Sequence, residues 1–177
     1  MNVGARRMTG VTSEDAAFEA LFTAEYRRVV GIANRVLVDP QQAEDVAQEA
    51  FIDFHRLHSA KATYAAAWLH RAAAHTALNG LRGDRRRQRR EIAQAVEEGD
   101  RTLDPQKQAE LNEDRRRLRE ALGRMAPKPA SALVLRASGL SYAEVAQALG
   151  VGIGQIGTLL RRAEEALRKE VGRGTSE

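Results

Sequence analysis

Between Arg82 and Arg90, six arginines stand against a single acid, Asp84. Guanidinium groups bind phosphate through two parallel hydrogen bonds, so a run this dense suits a nucleic-acid backbone. Two blander causes compete with phosphate binding. Cations at a helix end complement its dipole, and a genome rich in arginine codons would raise the count, since all but four of the 28 basic residues are Arg. Tyr64 and Trp68 lie just upstream. Exposed aromatics there would stack on unpaired bases, although Trp68 fits a buried core equally well. A second patterned segment runs from Gly139 to Val151. Ser141 and Glu144 are spaced for a capping box, Gly150 suits a left-handed helix end, and Gly150 to Ile153 has the length of a helix-turn-helix turn. An ordinary αα-hairpin is the alternative. A third set, Asp45, Gln48, Glu49 and Asp53, shares the outer face of one helix, where simple solvation is the usual fate of such residues.

Composition narrows the chemistry. The chain has 177 residues, a net charge of +4 and no cysteine, which rules out disulfides, thiolate nucleophiles and Cys-ligated zinc. His55 and His58 share a helix face with only Asp53 near them, and His70 and His75 are isolated. No nucleophile–base pair or phosphate-cradling loop is visible, so neither an enzyme, a metal site nor a cofactor is expected. The segment Met1 to Gly10 has no apolar run after Arg6 and Arg7, so no signal peptide is expected. No stretch approaches the roughly 20 apolar residues of a membrane span. A cytoplasmic protein without membrane insertion is therefore expected.

The elements that must position these residues are helices. Phe18, Leu21, Phe22, Val29, Ile32, Ala33 and Val36 recur at three and four, one stripe of a first helix, with Ser13 as expected N-cap. Asp39-Pro40 ends it and opens a second helix, which turns Ala43, Val46, Ala47, Ala50, Phe51 and Phe54 inward. A loop near His58 to Thr63 leads to a third, with Trp68, Leu69, Ala72, Thr76 and Leu81 on its buried side. From Ile92 to Asp114 acids outnumber bases seven to two, and Gly99 with Asp104-Pro105 predicts a flexible linker at about 93–104. Asp104-Pro105 opens a further helix with Leu111, Leu118, Leu122 and Met125 as its stripe, ended by Pro127 and Pro129. Helices near Ala130–Ala137, Tyr142–Leu149 and Gly154–Glu170 follow. The fold class expected is all-α: two small helical domains joined by a flexible acidic linker, the second a helix-turn-helix.

Taken in order, these segments resemble a known family, the bacterial RNA polymerase sigma factors of the extracytoplasmic-function (ECF) type. Ala43 to Phe51 is similar to the family's "AEDxxQExF" segment. Trp68 to Arg82, Asp104 to Met125, and Gly139 to Ala163 resemble three further family motifs, so the likeness runs from about Phe18 to Arg168. The resemblance implies a promoter-specificity subunit without catalytic activity. Its domain two (12–92) would bind the β′ clamp helices of core polymerase through Asp45, Gln48 and Glu49. The same domain would open the −10 promoter element with Tyr64, Trp68, His75, Arg82, Arg85 and Arg86. A linker (93–111) would thread toward the polymerase active site. Domain four (112–172) would touch the β flap and read the −35 element with Gln155, Thr158, Arg161 and Arg162. An anti-sigma factor is the expected regulatory partner.

The chain departs from the family at several positions. His75 stands where the family has Asn, and Ala126 and Ala130 stand where it has Pro and Arg. Gly152 replaces the Ser cap of the recognition helix, while Gln155, Gly157 and Leu159 replace Thr, Lys and Arg. Gly157 weakens that helix by about 1 kcal/mol relative to Ala, so weak or unusual −35 recognition is expected, with Gln155 suited to adenine. Two rival readings remain at this point: a sigma mimic that occupies an anti-sigma factor, and a stand-alone helix-turn-helix repressor.

Overall fold

The computed structural model describes the backbone of residues 12–94 and 106–173, and the side chains of 12–83 and 113–173. The described residues form seven helices and no strand: α1 (Ser13–Leu37), α2 (Pro40–Leu57), α3 (Ala65–Gln94), α4 (Gln106–Arg124), α5 (Pro127–Ala137), α6 (Tyr142–Leu149) and α7 (Ile153–Arg173).

The cap of helix α1 lies one residue earlier than expected: it is Thr12, not Ser13. The Asp15 N–H donates to Thr12 Oγ1 at 3.1 Å and the Thr12 N–H donates to Asp15 Oδ2 at 3.0 Å. Asp15 lies three residues after Thr12, the spacing at which each side chain can accept from the other's backbone amide. At the far end Val38 adopts a left-handed conformation with φ 56°, and its N–H closes on Asn34 O. Asp39 then caps α2, its Oδ1 accepting from Gln41 and Gln42 at 3.0 and 3.1 Å, with Pro40 at the first helical position as expected.

Helices α1, α2 and α3 pack around Val29, Ile32, Val36, Phe51, Phe54, Leu69 and Leu78. The burial of α3 is wider than expected. Leu69 and Leu81 are buried, but Trp68, Ala72 and Thr76 are only half-buried, whereas Ala65, Ala67, His70, Ala73, Ala74, Ala77 and Leu78 are covered. The reason is a second layer, in which α4, α5 and α6 also lie against α3. One hydrophobic core therefore runs from Val29 to Ala163. The linker expected at 93–104 overlaps the end of α3, which reaches Gln94; residues 95–105, with Asp104-Pro105, lie outside the described residues.

The second half differs from expectation in two details. Leu118 of α4 is 43% exposed, while Ala121, Leu122 and Met125 are buried; α4 packs against α3 and α7. The Leu111 side chain is not among those described. Pro127 and Pro129 do not end α4, which stops at Arg124, but form the first turn of α5. A helix's first turn needs no intrahelical N–H, so proline is tolerated there. Ser141 and Glu144 form the anticipated capping box, with the Ser141 N–H donating to Glu144 Oε2 at 2.7 Å. Gly150 closes α6 at φ 62°.

This geometry makes two effects measurable. Val38 is half exposed and loses little packing on truncation, while left-handed backbone costs a branched residue about 1–2 kcal/mol. Val38→Gly should raise stability by about 1 kcal/mol in thermal unfolding. The second effect concerns acid. The Ser141 amide holds the Glu144 carboxyl below its ordinary value of 4.5, with Arg28 adding to the effect. A depressed carboxylate stabilises the fold above its unfolded value and loses that contribution as pH falls through the folded one. The stability advantage of wild type over Glu144→Gln should be present near pH 7 and vanish near pH 3, read from urea midpoints.

Candidate nucleic-acid interface

Because the first and second layers cover α3 on both flanks, one narrow strip of its described side chains is left open. Arg71, His75 and Asn79 are exposed and Trp68 and Arg82 half-exposed, continuing the line from exposed Tyr64 just before the helix. Steps of three and four place these six positions on one face. Four of the residues expected to meet DNA thus lie on a common line. Arg71 and Asn79 complete it without having been expected there; helical spacing from Tyr64 is the signal that marks them. The side chains of Arg85 and Arg86, further along α3, lie outside the described ones.

The upstream end of the stripe is an aromatic enclosure. The His58 ring lies 5.0 Å from Trp68, 5.3 Å from Phe54 and 5.7 Å from Tyr64 by centroids. Tyr64 Oη and His58 Nδ1 are 3.3 Å apart. Trp68 is half-buried and packs on Phe54 at 5.5 Å. His58 and His55 turn to different neighbours, His55 packing on Phe18 at 4.5 Å. The loop before α3 is pinned by the start of α1. The Ala60 N–H donates to Glu14 Oε1 at 2.5 Å, and Lys61 Nζ donates to Ser13 Oγ at 2.7 Å.

The downstream end is engaged internally. Arg82 Nε donates to Gly123 O at 3.3 Å, one Nη donates to Met125 O at 3.0 Å, and the other to Asn79 Oδ1 at 3.0 Å. These two carbonyls lie at the end of α4, where the last turn lacks intrahelical partners and carries the negative end of the dipole. His70, expected to be isolated, is buried with Nε2 2.7 Å from Glu25 Oε2.

On α2, Asp45, Gln48 and Glu49 are exposed, while Ala43, Ala47, Ala50, Phe51 and Phe54 face the core. Ile52, 50% exposed, sits one turn on from Gln48 and Glu49, so this face is acidic with an apolar centre. On α7, Ile156, Leu160 and Ala163 are buried and Gln155, Thr158, Arg161 and Arg162 point outward. Beside them lies an open groove of about 470 Å³, lined by Lys128, Gln155, Thr158, Leu159 and Arg162 among others. Two of these side chains already have partners within the chain. Gln155 Oε1 accepts the Gly152 N–H at 3.2 Å, so its side chain serves as half of a capping box in place of pointing freely at a base. Arg161 pairs with Glu165 at 2.8 Å. A Cβ at Gly157 would meet nothing within 4 Å, so this face has room at its centre.

Comparison with known proteins bears on these surfaces. Residues 21–87 match Sigma-70 region 2, and residues 115–167 match Sigma-70, region 4. RNA polymerase sigma-H factor of Pseudomonas aeruginosa is 32% identical over 166 residues, covering 86% of this chain and 85% of that protein. The ECF RNA polymerase sigma factor SigE of Mycolicibacterium smegmatis is 29% identical over 175 residues, covering 96% of this chain and 67% of that one. A solved structure of the sigma factor RpoE with the anti-sigma factor NepR from Bartonella quintana covers 88% of this chain and 96% of its own, at a TM-score of 0.48 and 21% identity. With both regions matched in order and a relative above 30% identity along most of its length, the chain belongs to the sigma-70 family and is an RNA polymerase sigma factor of the ECF type.

Proposed function

We propose that the three surfaces divide the work of a promoter-specificity subunit. The open stripe of α3 carries this reading: a single line of cationic, amide and aromatic side chains that begins at an aromatic enclosure. Arg71, His75, Asn79 and Arg82 would follow one DNA strand, and Tyr64 with Trp68 would receive an unpaired base of the −10 element by stacking, an interaction worth about 1–3 kcal/mol per base. His58 would hold Tyr64 and Trp68 in place. The acidic face of α2, with Asp45, Gln48, Glu49 and the apolar Ile52, would dock on the clamp helices of polymerase β′. The α7 face would enter the major groove at the −35 element, with Lys128 and Arg162 on phosphates. Domain limits of 12–92 and 112–172 accord with this division.

Reading at −35 would be weak. Gln155 must leave its place on the Gly152 amide to reach adenine, and Gly157 brings no side chain to the groove. The subunit would supply no bond-making chemistry of its own and would act in the cytoplasm, where polymerase is. No helix among the described residues is long and apolar enough to cross a membrane. An anti-sigma factor would control its availability.

Reversing two charges on one docking face opposes any basic partner surface. Asp45→Lys with Glu49→Lys should reduce retention on tagged core polymerase at least tenfold while leaving the circular-dichroism melt unchanged; undiminished retention would remove the docking assignment. Gly157→Lys adds one cation where space is open. It should tighten binding to −35 duplex and steepen the log–log salt slope by about 0.9; an unchanged slope would exclude contact at this position.

A further inference from the structure

We propose that α7 selects its promoter sequence by apolar contact with the C5-methyl groups of thymine, through Ile153 and Thr158, in place of hydrogen bonds to base edges. The proposal rests on the reading of α7 as the −35 surface and names the chemistry by which that surface discriminates.

A recognition helix meets base edges with its N-terminal residues. From Ile153 to Leu159, α7 has two side chains able to hydrogen-bond, Gln155 and Thr158. Gln recognises adenine with its oxygen and nitrogen together, and Gln155 Oε1 already accepts the Gly152 N–H at 3.2 Å. A Thr hydroxyl both donates and accepts, so it bonds to any base and discriminates among none. Guanine requires Arg or Lys, and cytosine requires Asp or Glu; this stretch has none of the four. The first cation of α7 is Arg161, two turns in, and it is paired with Glu165 at 2.8 Å. Hydrogen-bond readout is thin where the helix meets the bases.

The same stretch offers apolar groups. Ile153 is 59% exposed and is not part of the hydrophobic core, to which α7 contributes Ile156, Leu160 and Ala163. Thr158 adds a methyl group on the exposed face. Helical spacing sets Gly157 and Gly154 between Ile153 and Thr158 around the helix. A Cβ on either glycine would meet nothing within 4 Å, so packing does not demand them. They leave a strip of bare backbone, which can approach a ligand more closely than a covered one. Two methyl-bearing side chains thus flank a strip able to sit deep against base edges. Thymine is the base that carries a methyl group into the major groove, so it is the base this face can tell apart. Val151 and Leu159 extend the apolar surface into the groove beside α7, and Lys128 and Arg162 on the same groove supply positive charge for the adjoining phosphates. That cationic rim fits a nucleic acid better than an apolar protein segment.

The test uses the full chain with core polymerase. Promoter duplexes randomised across both elements are selected for holoenzyme binding, and each thymine of the enriched −35 element is then replaced by deoxyuridine. Uracil pairs as thymine does and lacks only the methyl group, so the exchange removes the proposed contact alone. Exchange at a contacted position should weaken binding about fourfold, the effect of burying one methyl-sized group. Ile153→Ala should abolish that penalty at one position. Thr158→Ser, which keeps the hydroxyl, should abolish it at another. Neither variant should shift the circular-dichroism melt, since both residues are exposed. An enriched element without thymine, or equal binding of thymine and deoxyuridine duplexes, would overturn the proposal while leaving α7 as the −35 reader. A penalty that survives in both variants would place the methyl contact elsewhere and overturn it too. Absence of any enrichment at −35 would overturn both the proposal and the reading beneath it.

Discussion

A helix built largely from alanine cannot end its own exposure with large side chains; it needs neighbours brought close. Helix α3 carries Ala65, Ala66, Ala67, Ala72, Ala73, Ala74 and Ala77 in its first turns. Small side chains let α1 and α2 approach on one flank and α4 to α6 on the other, until among its described side chains the stripe from Tyr64 to Arg82 is what reaches solvent. A helix apolar nearly all round has to be buried nearly all round. The remaining features follow from that requirement: a single core from Val29 to Ala163, a narrow polar line along α3, and a seam between the two halves.

The seam's polar ties differ in strength. The Arg28–Glu144 pair is about one-third exposed on each side, and pairs of that kind contribute roughly 0–1 kcal/mol. Arg82 makes part-buried bonds to two carbonyls at a helix end. Hydrogen bonds to a charged group are worth about 1.5–3 kcal/mol. Arg82 and the alanine packing therefore hold the halves together, with Arg28 and Gln147 fixing register.

Much of the fold is legible in the residues themselves. Capping chemistry places α2 and α6 correctly, because Asp39-Pro40 and Ser141-x-x-Glu144 are local signals that no tertiary contact overrides. The α2 outer face is legible from a strong 3.6-residue alternation of acid against alanine and phenylalanine. What sequence does not carry lies between the halves. His70 looks isolated along the chain, since its partner Glu25 is 45 residues away. That Arg82 reaches across to Gly123 and Met125 is not legible, because these partners are backbone carbonyls, which leave no mark in the residue types. Ala73, Ala74 and Ala77 give no sign of being core because alanine is compatible with any environment on a helix. Thr12 in place of Ser13 reflects competition between adjacent cap residues, decided by where Asp15 falls. On α7, Gln155 suits a base by its chemistry, yet its position three after Gly152 is also that of a capping partner.

The central claim is that α3 joins the two halves of the chain into one core. With no native cysteine, spin labels at Glu19→Cys on α1 and Lys169→Cys on α7, both exposed in the structure, can report the separation of the halves directly. Pulsed electron–electron distance measurement on the free protein should give one narrow, short distribution. A broad distribution in the free protein would contradict the account.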